Sequence, residues 1–264
     1  MSLAMETVEL NIAGGVAWIT LNRPAALNAW TRELGEDLLS ALDHAAESSE
    51  VRAIVLTGAG RAFSSGADIK AGMVGVDGKP DVLTPLREIY NPLILRVRTL
   101  PKPVIAAVNG PAVGIGFSLA LAADLIVAAE SAYFLLAFVT IGLGLDGGAS
   151  AFLAARVGHT RAFELAYLGE RLPAAQGLAW GLVNRVVPDS ELEFAARALA
   201  ERLAAGPPGS YATIKQTLNA HLYPRLEQEL EDEAVLQQER ADSPDFMEGV
   251  LAFMQKRPAS FTGA

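Results

Sequence analysis

Ser64-Ser65-Gly66-Ala67-Asp68-Ile69-Lys70 and Asn109-Gly110-Pro111-Ala112-Val113-Gly114-Ile115-Gly116 are the two stretches that decide the fold of this 264-residue chain. Each follows an apolar run that reads as a buried strand, Ile54-Val55-Leu56 before the first and Val104-Ile105-Ala106-Ala107-Val108 before the second. Each is rich in small residues where a helix can begin. A glycine-rich turn from strand to helix leaves backbone N–H groups unpaired and pointing outward. Two such turns side by side aim two N–H donors at one oxygen, which is an oxyanion hole.

Outward from these turns the chain alternates strands and helices. Val8 to Leu10 and Val16 to Leu21, parted by Gly14-Gly15, read as a β-hairpin. Leu34, Leu38, Leu42 and Ala45 recur at helical spacing, which predicts an amphipathic helix over Thr31 to Glu47 with Thr31 as its cap. A helix through Leu86 to Val97, one from about Gly114 and a strand at Leu125 to Val127 complete an α/β pattern. From about Ser190 the strands stop. Leu192 to Leu203, Ser210 to Leu222, Arg225 to Ala241 and Phe246 to Gln255 read as helices, punctuated by Gly206-Pro207-Pro208, Pro224 and Pro244.

Composition narrows the function. Hydrophobic residues make up 51%, enough for a large core. The most apolar region, Phe117 to Ala129, is interrupted by Asp124 and too short to span a membrane. The balance of 21 basic and 30 acidic residues gives −9, against the basic footprint that nucleic-acid binding needs. The run from Glu227 to Glu233 holds five carboxylates and reads as a solvated helix face. Without cysteine there is no disulfide, thiolate nucleophile or cysteine metal site, and the cytoplasm is the expected compartment. His44, His159 and His221 are far apart and lack metal-ligand spacing, so no metal is expected.

Taken with Leu21-Asn22-Arg23-Pro24-Ala25-Ala26-Leu27-Asn28-Ala29 near the start and Phe253-Met254-Gln255-Lys256-Arg257-Pro258 near the end, the two turns resemble the crotonase superfamily of enoyl-CoA hydratases and isomerases. The resemblance implies a crotonase-type ββα spiral core over residues 1–189 carrying an acyl-CoA site. It also implies a C-terminal helical region, 190–264, that packs between subunits into a homotrimer or a hexamer of paired trimers. Coenzyme A enters as part of the substrate, and no tightly bound cofactor is implied.

The same resemblance assigns roles. The N–H groups of Ala67 and Ile115 become the oxyanion hole for a thioester carbonyl. Arg23, Ala25, Ala26 and Asp68 border the coenzyme A moiety, and Phe253 and Lys256 reach it from a neighbouring subunit. Ile69, Met73, Ser118, Phe138 and Leu143 become the acyl pocket, bordered by the glycine-rich loop Gly72 to Asp81. Hydratases of the family carry two glutamates, at positions that here are Ser118 and Phe138. A serine hydroxyl is no base near neutral pH and a phenylalanine has no proton to exchange. One acid remains, Asp146 in Gly142-Leu143-Gly144-Leu145-Asp146-Gly147-Gly148, where isomerase members carry an aspartate. A lone carboxylate suffices for a 1,3-proton shift, provided that burial raises its pKa. Asp-Gly is also an ordinary turn dipeptide. A hydratase using other acids and a catalytically silent acyl-CoA-binding protein stay open as alternatives.

Overall fold

The computed structural model describes residues 5–69, 75 and 78–263. Its strands are β1 (Val8–Ala13), β2 (Val16–Leu21), β3 (Ala53–Gly58), β4 (Val104–Val108), β5 (Ala112–Val113), β6 (Leu125–Ala129), β7 (Tyr133–Leu135), β8 (Leu172–Pro173) and β9 (Arg185–Val187). Its helices are α1 (Arg32–Glu47), α2 (Leu83–Pro85), α3 (Asn91–Thr99), α4 (Ile115–Ala122), α5 (Ala149–Val157), α6 (His159–Leu168), α7 (Ala174–Ala179), α8 (Leu192–Ala204), α9 (Pro208–Leu222), α10 (Leu226–Ala241) and α11 (Pro244–Gln255).

Six strands form the main sheet in the order β1-β2-β3-β4-β6-β9. The β1–β2 hairpin is antiparallel, and β2, β3, β4, β6 and β9 run parallel. Every residue of β3 and β4 is buried, as a strand covered on both faces requires. A smaller three-stranded sheet has the order β5-β7-β8. These short strands were not foreseen: two or three residues carry no readable alternation. Thr31 caps α1 as expected, its Oγ1 accepting from the Leu34 N–H at 3.2 Å. The helix expected from Leu86 begins at α2 and passes through a π-helical turn, Leu86–Tyr90, into α3. Such turns expel a residue from register and recur at functional sites.

Buried on every face, α4 sits at the centre of the molecule. That explains its run of apolar and small residues, since a helix packed all round needs no polar stripe. Around its C-terminal end Asp124 accepts from Arg98 at 3.0 Å and from Lys215 at 2.9 Å, tying α9 to the core. Among the described residues no helix is long and apolar enough to cross a membrane. The solvated face expected from Glu227 to Glu233 has one exception: Glu233 is buried, turned inward on α10.

Candidate active site

The two turns meet through their backbones. Ser64 donates its N–H to the Pro111 carbonyl at 3.0 Å, and Val113 donates to the Ser64 carbonyl at 2.9 Å, a parallel bridge between Ser64 and Ala112. Equal steps along the two strands lead from that bridge to Ala67 and Ile115. Close approach is possible only because side chains are missing. A Cβ on Gly66, whose φ is 90°, would stand 3.0 Å from the Val113 carbonyl oxygen and 3.8 Å from the Gly114 Cα. A Cβ on Gly116 would stand 2.6 Å from the Ser64 side chain. Among the described residues neither the Ala67 nor the Ile115 N–H finds an acceptor in the chain. Ile115 opens α4, so the helix adds its partial positive charge at the same point.

The motif around Arg23 scaffolds this arrangement. Asn28, buried and in the left-handed region at φ 55°, accepts from the Arg23 N–H at 2.9 Å and donates to the Ala59 and Ala62 carbonyls at 3.0 and 2.8 Å. The Ser64 hydroxyl donates to the Asn28 carbonyl at 2.9 Å. Arg23 reaches the Asp68 carboxylate at 3.2 Å and the Ala29 carbonyl, so its guanidinium clasps the first turn. Ala25 is exposed and Ala26 half-buried beside it.

A cavity of about 410 Å³ opens beside Ala67, walled by Trp30, Tyr90, Leu143, Asp146 and Gln237, with Asp68 also on its lining. Trp30 and Tyr90 meet edge to face, ring centroids 5.0 Å apart. Asp146 is buried, and its turn presses on the oxyanion turn: a Cβ on Gly147 would stand 2.5 Å from the Ile115 Cδ1. The Asp146 Oδ2 accepts from the Gln237 Nε2 at 3.1 Å, while Oδ1 is buried without a partner. Burial, then the nearby Glu233 carboxylate, push the Asp146 carboxyl from 3.8 up to about 8, against a lowering by the Gln237 amide. Burial, with the Asp146 and Asp68 carboxylates, likewise pushes the Tyr90 phenol upward. The other carboxylates on the cavity lining have partners or stand in water. Asp68 pairs with Arg23, Asp81 accepts from the Thr84 N–H at 2.9 Å, and Glu33 is exposed at the rim.

Several residues expected in the acyl pocket do not line this cavity. Ser118 is fully buried and does not line the cavity; its hydroxyl donates to the Asp146 carbonyl at 2.9 Å and so holds the turn that carries the acid. Phe138 lies against the oxyanion turn, 3.7 Å from where a Gly114 Cβ would be. It lines a second, apolar cavity of about 330 Å³ with Phe163, Tyr167 and Leu153, and Leu143 walls both cavities. Ile69 is half-buried and off the lining. Met73, with half of the Gly72 to Asp81 loop, lies outside the described residues. Phe253 and Lys256 stand exposed at the end of α11, away from the cavity of their own chain.

Four contributors escape a linear reading. Trp30 and Tyr90 look like ordinary core aromatics. Gln237 and Glu233 sit in what reads as a solvated acidic helix, and only their i, i+4 spacing puts both on one face. In three dimensions α10 is a wall of the site. Gln237 accepts from the Gly144 N–H at 2.8 Å as well as donating to Asp146. Gln238 accepts from the Val82 and Leu83 N–H groups at 3.0 and 3.1 Å. The C-terminal region therefore closes the cavity of its own chain, beyond any part it plays between subunits.

An α/β fold that joins two glycine-rich turns so that a pair of backbone donors borders a cavity with a buried carboxyl fits the crotonase class of protein. The sequence pattern of the enoyl-CoA hydratase/isomerase family matches residues 11–264, and the chain belongs to that family. It is 44% identical to a Rhodobacter capsulatus protein named "probable enoyl-CoA hydratase", over 99% of this chain and 100% of that one. It is 40% identical to the 1,2-epoxyphenylacetyl-CoA isomerase of Escherichia coli, over 98% of this chain and 99% of that one. A crystal structure of an enoyl-CoA hydratase from Mycobacterium avium subsp. paratuberculosis superposes with a TM-score of 0.89 at 41% identity, covering 98% of this chain and 99% of that one. The relatives thus bear both hydratase and isomerase names.

Proposed function

We propose that the protein is an acyl-CoA isomerase that moves a double bond or rearranges a ring through a thioester enolate. The observation that carries this reading is Asp146, a buried carboxyl that lines the cavity beside the turn that offers the Ile115 N–H. In the reaction, the Asp146 carboxylate takes a proton from the carbon activated by the thioester. The C–H electron pair moves into the conjugated system and the negative charge collects on the thioester oxygen. The Ala67 and Ile115 N–H groups hold that oxygen, binding the enolate more tightly than the ground state. The neutral carboxyl then returns the proton to a different carbon. Proton transfer and charge stabilisation both come from the chain, so the reading needs no metal and no resident cofactor.

Hydration would need a carboxylate for water and a second acid for the α-carbon. The family positions for that pair hold Phe138 and a Ser118 whose hydroxyl is engaged with the Asp146 carbonyl. The relative named as an epoxyphenylacetyl-CoA isomerase supports an unsaturated or cyclic acyl group. For the coenzyme A moiety, the exposed edge at Ala25 and Ala26 remains the expected contact on this chain, with Phe253 and Lys256 contributed by a neighbour. Assembly as a trimer or hexamer accords with large apolar side chains left in water, among them Tyr167 at 69% and Phe194 at 76% exposed.

The reading is tested by incubating the protein with a 3-enoyl-CoA and a 2-enoyl-CoA in heavy water and following product mass. Interconversion of the two, with deuterium taken up at carbon and no gain of water, is the expected result. A water adduct as the main product would replace this reading with hydration. Tight thioester binding with no exchange at carbon would replace it with a binding role.

A further inference from the structure

Two side chains one turn apart on α10 grip the segment that carries Asp146. Gln237 is 1% exposed, and its amide has one self-consistent orientation. The Gly144 N–H can only donate, so Oε1 faces it at 2.8 Å, and Nε2 is then obliged to donate to the Asp146 Oδ2 at 3.1 Å. Glu233 accepts from the Gly148 N–H at 2.7 Å and the Ser150 N–H at 2.9 Å, capping the first turn of α5. Gly144, Asp146, Gly148 and Ser150 are thus all held from one helix face. Ser118 on α4 also holds the Asp146 carbonyl.

We propose that Gln237 is the positioning residue of the Asp146 carboxyl, and that with Glu233 it fixes this turn while the carboxyl takes and returns the proton. The inference rests on Asp146 being the proton shuttle. A carboxyl tethered at one oxygen cannot rotate freely, so its orientation is set before substrate arrives. The two clamp members act in opposite electrostatic senses. The Gln237 amide favours the anion, and the Glu233 carboxylate disfavours it. Among the described residues, the remaining ionisable groups facing Asp146 or its cavity are Tyr90 from the π-helical turn, Asp68 from the oxyanion turn, and Arg32, Glu33 and Asp81 at the rim.

The test uses the full chain carrying Gln237→Met or Glu233→Gln, each checked for folding by circular dichroism. The titration midpoint of Asp146 is read directly from ¹³C-carboxyl NMR of aspartate-labelled protein, with Asp146→Asn assigning the signal. In parallel, kcat and KM for the double-bond shift of a 3-enoyl-CoA are measured against pH. Gln237→Met is expected to move the midpoint up by ~1 unit, slowing turnover near pH 7 by ~10-fold with KM within ~3-fold. Glu233→Gln is expected to move it down. Shifts in the same direction, or a Gln237→Met titration that superimposes on wild type, overturn the proposal. Should Glu233→Gln fail to fold, the Gln237→Met midpoint alone decides. Full turnover by Asp146→Asn would overturn the isomerase reading instead, whatever the NMR midpoints do.

Discussion

Asp146→Asn is expected to lower turnover of a 3-enoyl-CoA by ~10²- to 10⁴-fold, the usual yield of general acid–base catalysis, while making the protein more stable. The two effects share one cause. In the folded chain the carboxyl is buried and its pKa is raised from 3.8 to about 8. The unfolded chain gives up this proton at ordinary acidity, the folded chain does not, so native stability falls as pH rises between those two values. Asparagine keeps an oxygen to accept from Gln237 and carries no such penalty. Its advantage should be near zero below pH 4, grow through neutrality and level off above about pH 8, reaching up to ~5 kcal/mol. Thermal melts of both proteins at pH 4, 6 and 8 measure this directly. A constant difference across that range would mean that Asp146 does not carry a raised pKa. Wild-type turnover would mean that it is not the proton shuttle.

Gly66→Ala carries the second large effect. It introduces a Cβ 3.0 Å from the Val113 carbonyl oxygen at a residue whose φ is 90°. The turns must then separate, and the Ala67 N–H moves with the first of them. Loss of one donor in an oxyanion hole lowers kcat by ~10²- to 10³-fold. The left-handed backbone adds about 1–3 kcal/mol of destabilisation. Steady-state turnover and the melting temperature check both parts, with kcat expected to fall much further than KM rises. Retention of wild-type kcat by a folded Gly66→Ala protein would show that the junction of the turns does not position a catalytic donor.

Local features of the chain were legible where local physics governs them. The doubled glycine-rich turn, the Thr31 cap and the α/β alternation depend on residues within a few positions of one another. Resemblance to a known family supplied Asp146 as a candidate, since Asp-Gly by itself reads as a turn. Residues whose contacts depend on distant partners were not legible. Glu233 reads as one more acid on a solvated face, and its partners Gly148 and Ser150 lie 85 and 83 positions away. The contacts of Ser118 with the Asp146 carbonyl and of Phe138 with the neighbouring apolar cavity likewise come from segments far apart in the chain.

The sequence alone determined that this chain builds two glycine-rich strand-to-helix turns with outward backbone donors. That follows from residue identity and short-range geometry: glycine where a Cβ cannot fit. Only the tertiary structure decided that Asp146 holds a raised pKa and that α10 grips its turn. A carboxyl's proton affinity is set by what surrounds it, and these surroundings come from segments that meet only once the chain has folded.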